Sequence, residues 1–319
     1  MASSRRLRVV FFGTPEFAVP TLETLIAGRH DLVGVVSQPD RRQGRGRRMA
    51  ASPVSQVAQR ENLPLMRPDR IGDMESAHPL RALEADLGVV VAYGQFIPKQ
   101  IREMPKLGLL INGHASLLPG LRGAAPIQHA ILQGLGETGI SIMRVVREMD
   151  AGPVALQRTL TIEPEDDSAS LGTRLAALCA ECVDAGLDLI ADDRAVFVEQ
   201  DEAKVTYAPK IGRQDAELDF CHDAIDLARR VRAMAPSPGA RTSHDGTRLT
   251  ILAARAVPDP TPTRDEPGTI RKLSGDALGI ATGSGWLVPL RVQRAGGRAM
   301  EIEAYLRGHP IDEGARLGS

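Results

Sequence analysis

The sequence predicts an α/β protein: a doubly wound, mostly parallel sheet followed by a smaller β-barrel. Three observations predict it. Short apolar runs alternate with helically periodic segments through roughly the first 190 residues. A charged connector of weak periodicity comes next, and short strands broken by Gly and Pro fill the remainder. With 319 residues, 43% hydrophobic and 25% charged, the chain is long enough for two domains and has globular composition.

In chain order, Arg8 to Phe12 reads as a buried strand entering Gly13-Thr14-Pro15, and Glu16 to Ala27 has apolar residues at helical spacing. This is a Rossmann-like strand-turn-helix start. Leu32 to Val36 is a second strand, an Arg/Gly loop follows, and Pro53 opens a helix over Val54 to Arg60. Leu87 to Ala92 and Leu107 to Ile111 are further strands, with a polar segment between them able to hold a short helix. Ligands bind such sheets outside the carboxyl ends of strands, which is where Tyr93-Gly94, Asn112 and His114 fall. Ile140 to Val146 and Val154 to Ile162 are β-rich and flank Asp150-Ala151-Gly152-Pro153, and Ser168 to Ile190 is a long amphipathic helix with Ser168 as its expected N-cap.

The first domain is therefore expected over 1–190, a linker over 191–211 and an OB-like barrel over 212–319. Within that barrel one helix, Asp223 to Met234, precedes strands at Leu249 to Ala254, Gly268 to Ile270, Leu278 to Thr282 and Trp286 to Val292, with a terminal piece at Leu306-Arg307-Gly308. Pro258 to Pro267 holds four prolines and reads as a surface loop.

Composition narrows the function. No apolar stretch approaches the roughly 18 residues of a membrane span, and Val9 to Phe12 is too short for a signal-peptide core, so a soluble cytoplasmic protein is expected. Three cysteines make no disulfide framework, and Cys179 and Cys182 read as small apolar helix residues; a redox or zinc role lacks a second ligand pair. The histidines include no i,i+3 or i,i+4 pair, and no metal is expected. The net charge of −1 is spread over both parts: 23 Lys and Arg against 26 Asp and Glu up to residue 206, and 16 against 14 beyond it. Any contact to nucleic acid must therefore be local. Residues 40–48 hold five arginines, Arg41, Arg42, Arg45, Arg47 and Arg48, against one aspartate, the strongest charge anomaly in the chain. Gly13-Thr14-Pro15-Glu16-Phe17 has one glycine where a dinucleotide fingerprint needs three, and Glu16 places negative charge where a phosphate would sit.

The informative block runs from Ile111 to Gln128, with Met149-Asp150-Ala151-Gly152-Pro153 downstream. Asn112 and His114 are two apart on a strand end, so their side chains share one face. Asp150, on a Gly/Pro turn, can meet them. For each residue alone, a capping Asn, a satisfied His and a turn-forming Asp is the plainer reading.

This block resembles the folate-dependent formyltransferase family, in which an Asn-x-His strand end, a Ser-Leu-Leu-Pro segment and a downstream Asp form the formyl-transfer site. The similarity covers nearly the whole chain and is strongest to the branch acting on charged initiator tRNA. It includes Phe12 to Ala18, Gln38-Pro39-Asp40-Arg41, Gly44-Arg45-Gly46, Ser52-Pro53-Val54, Val91-Ala92-Tyr93-Gly94, Gly123 to Gln128 and Thr206 to Ile211. Two departures stand out. Gly113 replaces a larger residue, which either loosens the strand end or relieves local crowding, and Gly120-Leu121 replaces a basic-aromatic pair.

The resemblance implies that formyl from 10-formyltetrahydrofolate passes to the α-amino group of methionyl-initiator tRNA, with Asn112, His114 and Asp150 catalytic. It implies that the reduced folate lies along Tyr93-Gly94 and Ser116, Leu117, Leu118 and Pro119, and that the arginine loop and the C-terminal barrel contact tRNA. An α-amine of reference pKa about 7.7 to 8.0 needs no metal to become a nucleophile. Asn112 and His114 could stabilise the alkoxide, one such donor being worth about 3 to 4 kcal/mol, with Asp150 holding His114 charged and accepting or relaying the proton. A monomer is expected. The alternatives are a formyltransferase for a small amine, such as glycinamide ribonucleotide or an amino-sugar nucleotide, and a non-catalytic RNA-binding protein.

Overall fold

The computed structural model describes residues 5–43, 48–258, 265–274 and 277–318. The chain forms two compact units. One comprises the chain up to Gly123 with Glu137–Thr161 and Gly172–Ala208; the other comprises Ala124–Gly136, Ile162–Leu171 and the chain from Pro209 onward.

The first unit opens with β1 (Arg8–Gly13), whose Val-Val-Phe-Phe run is buried throughout, as expected for a parallel strand covered on both faces. A 3-10 turn over Glu16–Ala18 leads into α1 (Val19–Ala27), so the expected helix begins later than the apolar spacing suggests. Then come β2 (Asp31–Val36), β3 (Arg41–Gln43) and β4 (Arg48–Ala50). β3 and β4 pair antiparallel, Arg41 opposite Ala50, where the sequence suggested only a loop. α2 (Pro53–Arg60) starts as predicted: Pro53 takes the first turn and Ser52 Oγ accepts from Ser55 N at 3.0 Å.

β5 (Leu65–Met66), α3 (Met74–Ala82), β6 (Leu87–Val91), α4 (Lys99–Arg102) and β7 (Leu110–His114) follow. Beyond α5 (Pro126–Leu132), which belongs to the second unit, the sheet is completed by β8 (Glu137–Arg144) and β9 (Val154–Thr161). The strand order is β5-β2-β1-β6-β7-β8-β9. Pairing is parallel through β7 and antiparallel beyond it. Register aligns Gly13 with Val91 and Val90 with Asn112, so the carboxyl ends of β1, β6 and β7 emerge along one sheet edge. The strand order reverses direction at β1, the place where a doubly wound sheet binds ligands.

α6 (Ser168–Ala191) is capped by Asp167, not by Ser168: Asp167 Oδ1 accepts from Ala169 N at 2.9 Å and Ser170 N at 2.8 Å. Ser168 lies inside the first turn and donates its hydroxyl to Ala233 O at 2.6 Å.

In the second unit α7 (Ala224–Met234) buries Leu227, Val231 and Met234, a helical stripe that packs over the sheet. That sheet is antiparallel, β10 (Ala240–His244), β11 (Thr247–Val257), β14 (Trp286–Arg294), β13 (Leu278–Ala281) and β12 (Ile270–Lys272) in spatial order, with β15 (Ala299–Glu301) on the far side of β14. Irregular register near Ala253 bends β11 and curls the sheet into a half-barrel. Leu306-Arg307-Gly308 ends α8 (Ile302–Gly308) instead of forming a strand. Most of the proline-rich stretch, 259–264, lies outside the described residues. Among the described residues no helix is long and apolar enough to cross a membrane.

Candidate active site

β7 delivers Asn112 and His114 to the sheet edge on one face, and Gly113 points to the other. Asn112 is half-buried, and no hydrogen bond among the described residues engages its side chain. His114 is buried; its Nε2 lies 3.0 Å from Leu121 O. A carbonyl only accepts, so Nε2 carries a proton and Nδ1 is the ring atom turned toward Asp150. Asp150 Oδ2 stands 3.7 Å from that Nδ1, within ion-pair range but beyond a hydrogen bond. The same Oδ2 accepts from Gly123 N at 2.9 Å. The structure thus brings together the imidazole and carboxylate that the sequence singled out, with Asn112 two residues earlier on the same strand.

Asp150 occupies the left-handed region at φ +52°, a conformation that costs a non-glycine residue about 1 kcal/mol or more. Gln200 bridges its turn, Nε2 donating to Asp150 O at 2.8 Å and to Gly152 O at 2.7 Å. Gln200 Oε1 accepts from Arg122 Nε at 3.0 Å and Nη2 at 2.8 Å, and Arg122 also pairs with Glu202 at 2.8 Å. The stretch Leu121 to Gly123 is in turn fastened to Thr206–Ala208: Arg122 N donates to Thr206 O, Ala208 N to Arg122 O and Leu121 N to Thr206 Oγ1. Gly123 needs to be glycine: its φ is +126°, and a Cβ would lie 2.6 Å from Ala208 O. Sequence reasoning assigned no role to Arg122, Gln200 or Thr206. The only signals were the Arg-Gly and Thr-Tyr-Ala motifs, which mark similarity and not contact.

The expected folate-side residues are placed less uniformly. Ser116 is buried with its hydroxyl donated to Gly120 O at 2.6 Å. Ser141 ties the segment inward, its Oγ donating to Ser116 O at 2.6 Å and accepting from Leu118 N at 3.0 Å, while Gln157 Nε2 donates to Leu118 O at 2.8 Å. Leu117 O and Pro119 O also accept, from Gly120 N and Thr206 N. Ser116 to Pro119 is therefore a braced turn, with its carbonyls and the Ser116 hydroxyl engaged internally.

The Tyr93 ring belongs to the hydrophobic core, edge-on to Phe12 at 5.7 Å, and burial pushes its hydroxyl well above the ordinary phenol range. Tyr93 O is taken by Thr14 Oγ1 at 2.8 Å and Gln38 Nε2 at 3.0 Å. What this turn exposes is Ala92 and Gly94, both at positive φ.

Of the expected tRNA contacts, Arg41 lies on β3, exposed, with its guanidinium bonded to Gln38 Oε1. Arg42 and Arg48 lie on the backbone of the β3–β4 hairpin, and Arg45 and Arg47 fall outside the described residues.

Of the two readings of Gly113, the packing favours relief of crowding. A Cβ there would lie 2.5 Å from Cys179 Sγ and 3.5 Å from Val91 Cγ2, so the strand end is not loose: α6 fills the space with its thiol. Burial pushes that thiol up to about 12 and the Cys182 thiol up to about 11, which keeps both as neutral packing groups. Among the described residues no cluster of three or more His, Cys, Asp or Glu is placed to hold a metal.

Residues 6–183 match the family described as "Formyl transferase", and residues 210–310 match "Formyl transferase, C-terminal domain". The chain is thus a member of the formyl transferase family. The chain is 47% identical to the methionyl-tRNA formyltransferase of Methylococcus capsulatus, covering 98% of this chain and 100% of the relative. It is 42% identical to the methionyl-tRNA formyltransferase of Thermus thermophilus, over 98% and 99% of the two chains. Among solved structures, HypX from Aquifex aeolicus in complex with tetrahydrofolic acid has a similar fold, with TM-score 0.65 and 19% identity over 97% of this chain and 48% of that one. The chain belongs to the methionyl-tRNA formyltransferase family.

Proposed function

We propose that this protein transfers the formyl group of 10-formyltetrahydrofolate to the α-amino group of methionyl-initiator tRNA. The observation that supports the reading is His114 Nδ1 3.7 Å from Asp150 Oδ2 at the carboxyl edge of a parallel sheet, with Asn112 two residues before His114 on the same strand. The folate supplies an activated formyl carbon, and the exposed turn at Ala92 and Gly94 beside this edge is the surface that fits it. The chain's residues do the rest. The free Asn112 amide donates to the oxygen that becomes an alkoxide, with the His114 ring beside it. Asp150, held by Gly123 N, faces the ring and is the group to take the proton lost by the attacking amine, directly or through water; as the alkoxide collapses, the bond from the formyl carbon to the folate nitrogen breaks and that nitrogen takes up a proton, which leaves tetrahydrofolate and the formylated amine. Pair distances of this kind commonly shorten once substrate is bound.

The arginine hairpin is the proposed contact to tRNA phosphates, since guanidinium forks bind phosphate bidentately. The C-terminal half-barrel is the proposed second contact. The 47% and 42% identity to methionyl-tRNA formyltransferases over 98% of the chain favours tRNA over a small amine. The reading keeps the expectation of a soluble, cytoplasmic monomer. Mixing the protein with 10-formyltetrahydrofolate and either charged or uncharged initiator tRNA tests it: formyl must appear on the charged tRNA alone, and transfer to glycinamide ribonucleotide or an amino-sugar nucleotide in its place contradicts it.

A further inference from the structure

The Asp150 carboxylate stands 3.7 Å from His114 on a turn in the left-handed region, and a side chain that hydrogen-bonds this turn comes from fifty residues away. Gln200 Nε2 donates to the carbonyls on both sides of Ala151, those of Asp150 and Gly152. Its Oε1 accepts two hydrogen bonds from Arg122, which is 4% exposed and closed on its other side by Glu202 at 2.8 and 3.3 Å. Arg122 directly precedes Gly123, whose N–H binds Asp150 Oδ2. One short piece of chain therefore grips Asp150 twice, its carboxylate through a main-chain donor and its backbone through Arg122 and Gln200.

Only an amide can serve between them. It must accept from a guanidinium with one atom and donate to two carbonyls with the other. Glutamate keeps the acceptor and loses the donor; leucine loses both.

We propose that Gln200, oriented by Arg122, is a positioning residue for formyl transfer: it sets the Asp150 backbone so that the carboxylate stands against His114. This rests on the function proposed above. Gln200 touches no reacting atom and acts through Asp150 alone.

The test uses the full chain with Gln200→Glu and Gln200→Leu, each in the wild-type and Asp150→Asn backgrounds. In the wild-type background kcat falls about ten- to a hundred-fold, the scale of a misplaced catalytic group. KM for folate and for tRNA stays within about two-fold, because neither substrate is bound by Gln200. In the Asp150→Asn background, followed by single turnover, the same substitutions cost nothing further. NMR of the His114 ring supplies a readout independent of turnover: its resonances shift in Gln200→Glu while those of His30 do not. Wild-type kcat in Gln200→Glu, an equal loss in the Asp150→Asn background, or an unmoved His114 ring overturns the inference. A shifted His114 ring in a protein whose wild type transfers no formyl supports the positioning and sinks the function alone.

Discussion

Gly113 and Cys179 share one space: a Cβ on Gly113 would lie 2.5 Å from the Cys179 sulfur. The strand end that carries Asn112 and His114 is thus packed from behind by α6. Gly113→Ala is expected to destabilise the fold by about 1 to 3 kcal/mol through overpacking, and Gly113→Val by more. Adding Cys179→Ala should recover much of the loss, a coupling read by denaturant unfolding of the two single variants and the double. If Gly113→Ala is as stable as wild type, the space is not filled as described.

His30 is buried, with Nδ1 accepting from Leu7 N at 3.2 Å and Nε2 3.3 Å from Asp188 Oδ1. Burial, aided by Arg29, holds its pKa below the ordinary 6.5 despite the opposing pull of Asp188. Between that lowered value and 6.5 the unfolded chain binds a proton that the folded chain refuses. Stability contributed by His30 is therefore full above pH 6.5 and lost as pH falls below it. His30→Asn, which keeps an acceptor for Leu7 N, should show a shallower loss of stability between pH 7 and acid than wild type. Parallel pH–stability curves would exclude His30 as the source.

The arginine hairpin carries no acid or base, so its removal should touch tRNA recognition and spare the folate. Replacing Arg42 and Arg45 with Ala is expected to lower kcat/KM for tRNA and leave folate binding unchanged. Every phosphate that is no longer neutralised should flatten the log-log salt dependence by roughly 0.9 on duplex nucleic acid. Unchanged tRNA affinity and slope would move the search to the half-barrel. Failure to bind folate would make the hairpin part of the donor site.

The places of β1, β2 and β6 along the chain were legible because each is a largely apolar run bounded by turn residues, the composition of a strand buried in a parallel sheet. The β3–β4 hairpin was not, because its Arg/Gly composition is that of a loop and its pairing is a backbone property. Leu306 to Gly308 misled for a related reason: a three-residue piece has no period of its own, and the helix is set by the turns before it. Asn112 and His114 could be paired from spacing alone. Gln200 could not be joined to Asp150, since the link is a side-chain amide meeting a turn across fifty residues. The Tyr93 side chain sits in the core because its neighbours Ala92 and Gly94 adopt the positive-φ turn, which spacing does not reveal.

Asn112, His114 and Asp150 are proposed to act on one transition state, so the combined loss of rate on removing them should be smaller than the product of single losses. Single-turnover transfer of labelled formyl from 10-formyltetrahydrofolate to charged initiator tRNA, by wild type and by Asp150→Asn of verified fold, tests catalysis by these residues most directly. Wild type is predicted to transfer the label, and Asp150→Asn to do so about a hundred-fold more slowly or worse, the usual scale for removing an acid-base group. Equal rates for the two proteins would contradict that role.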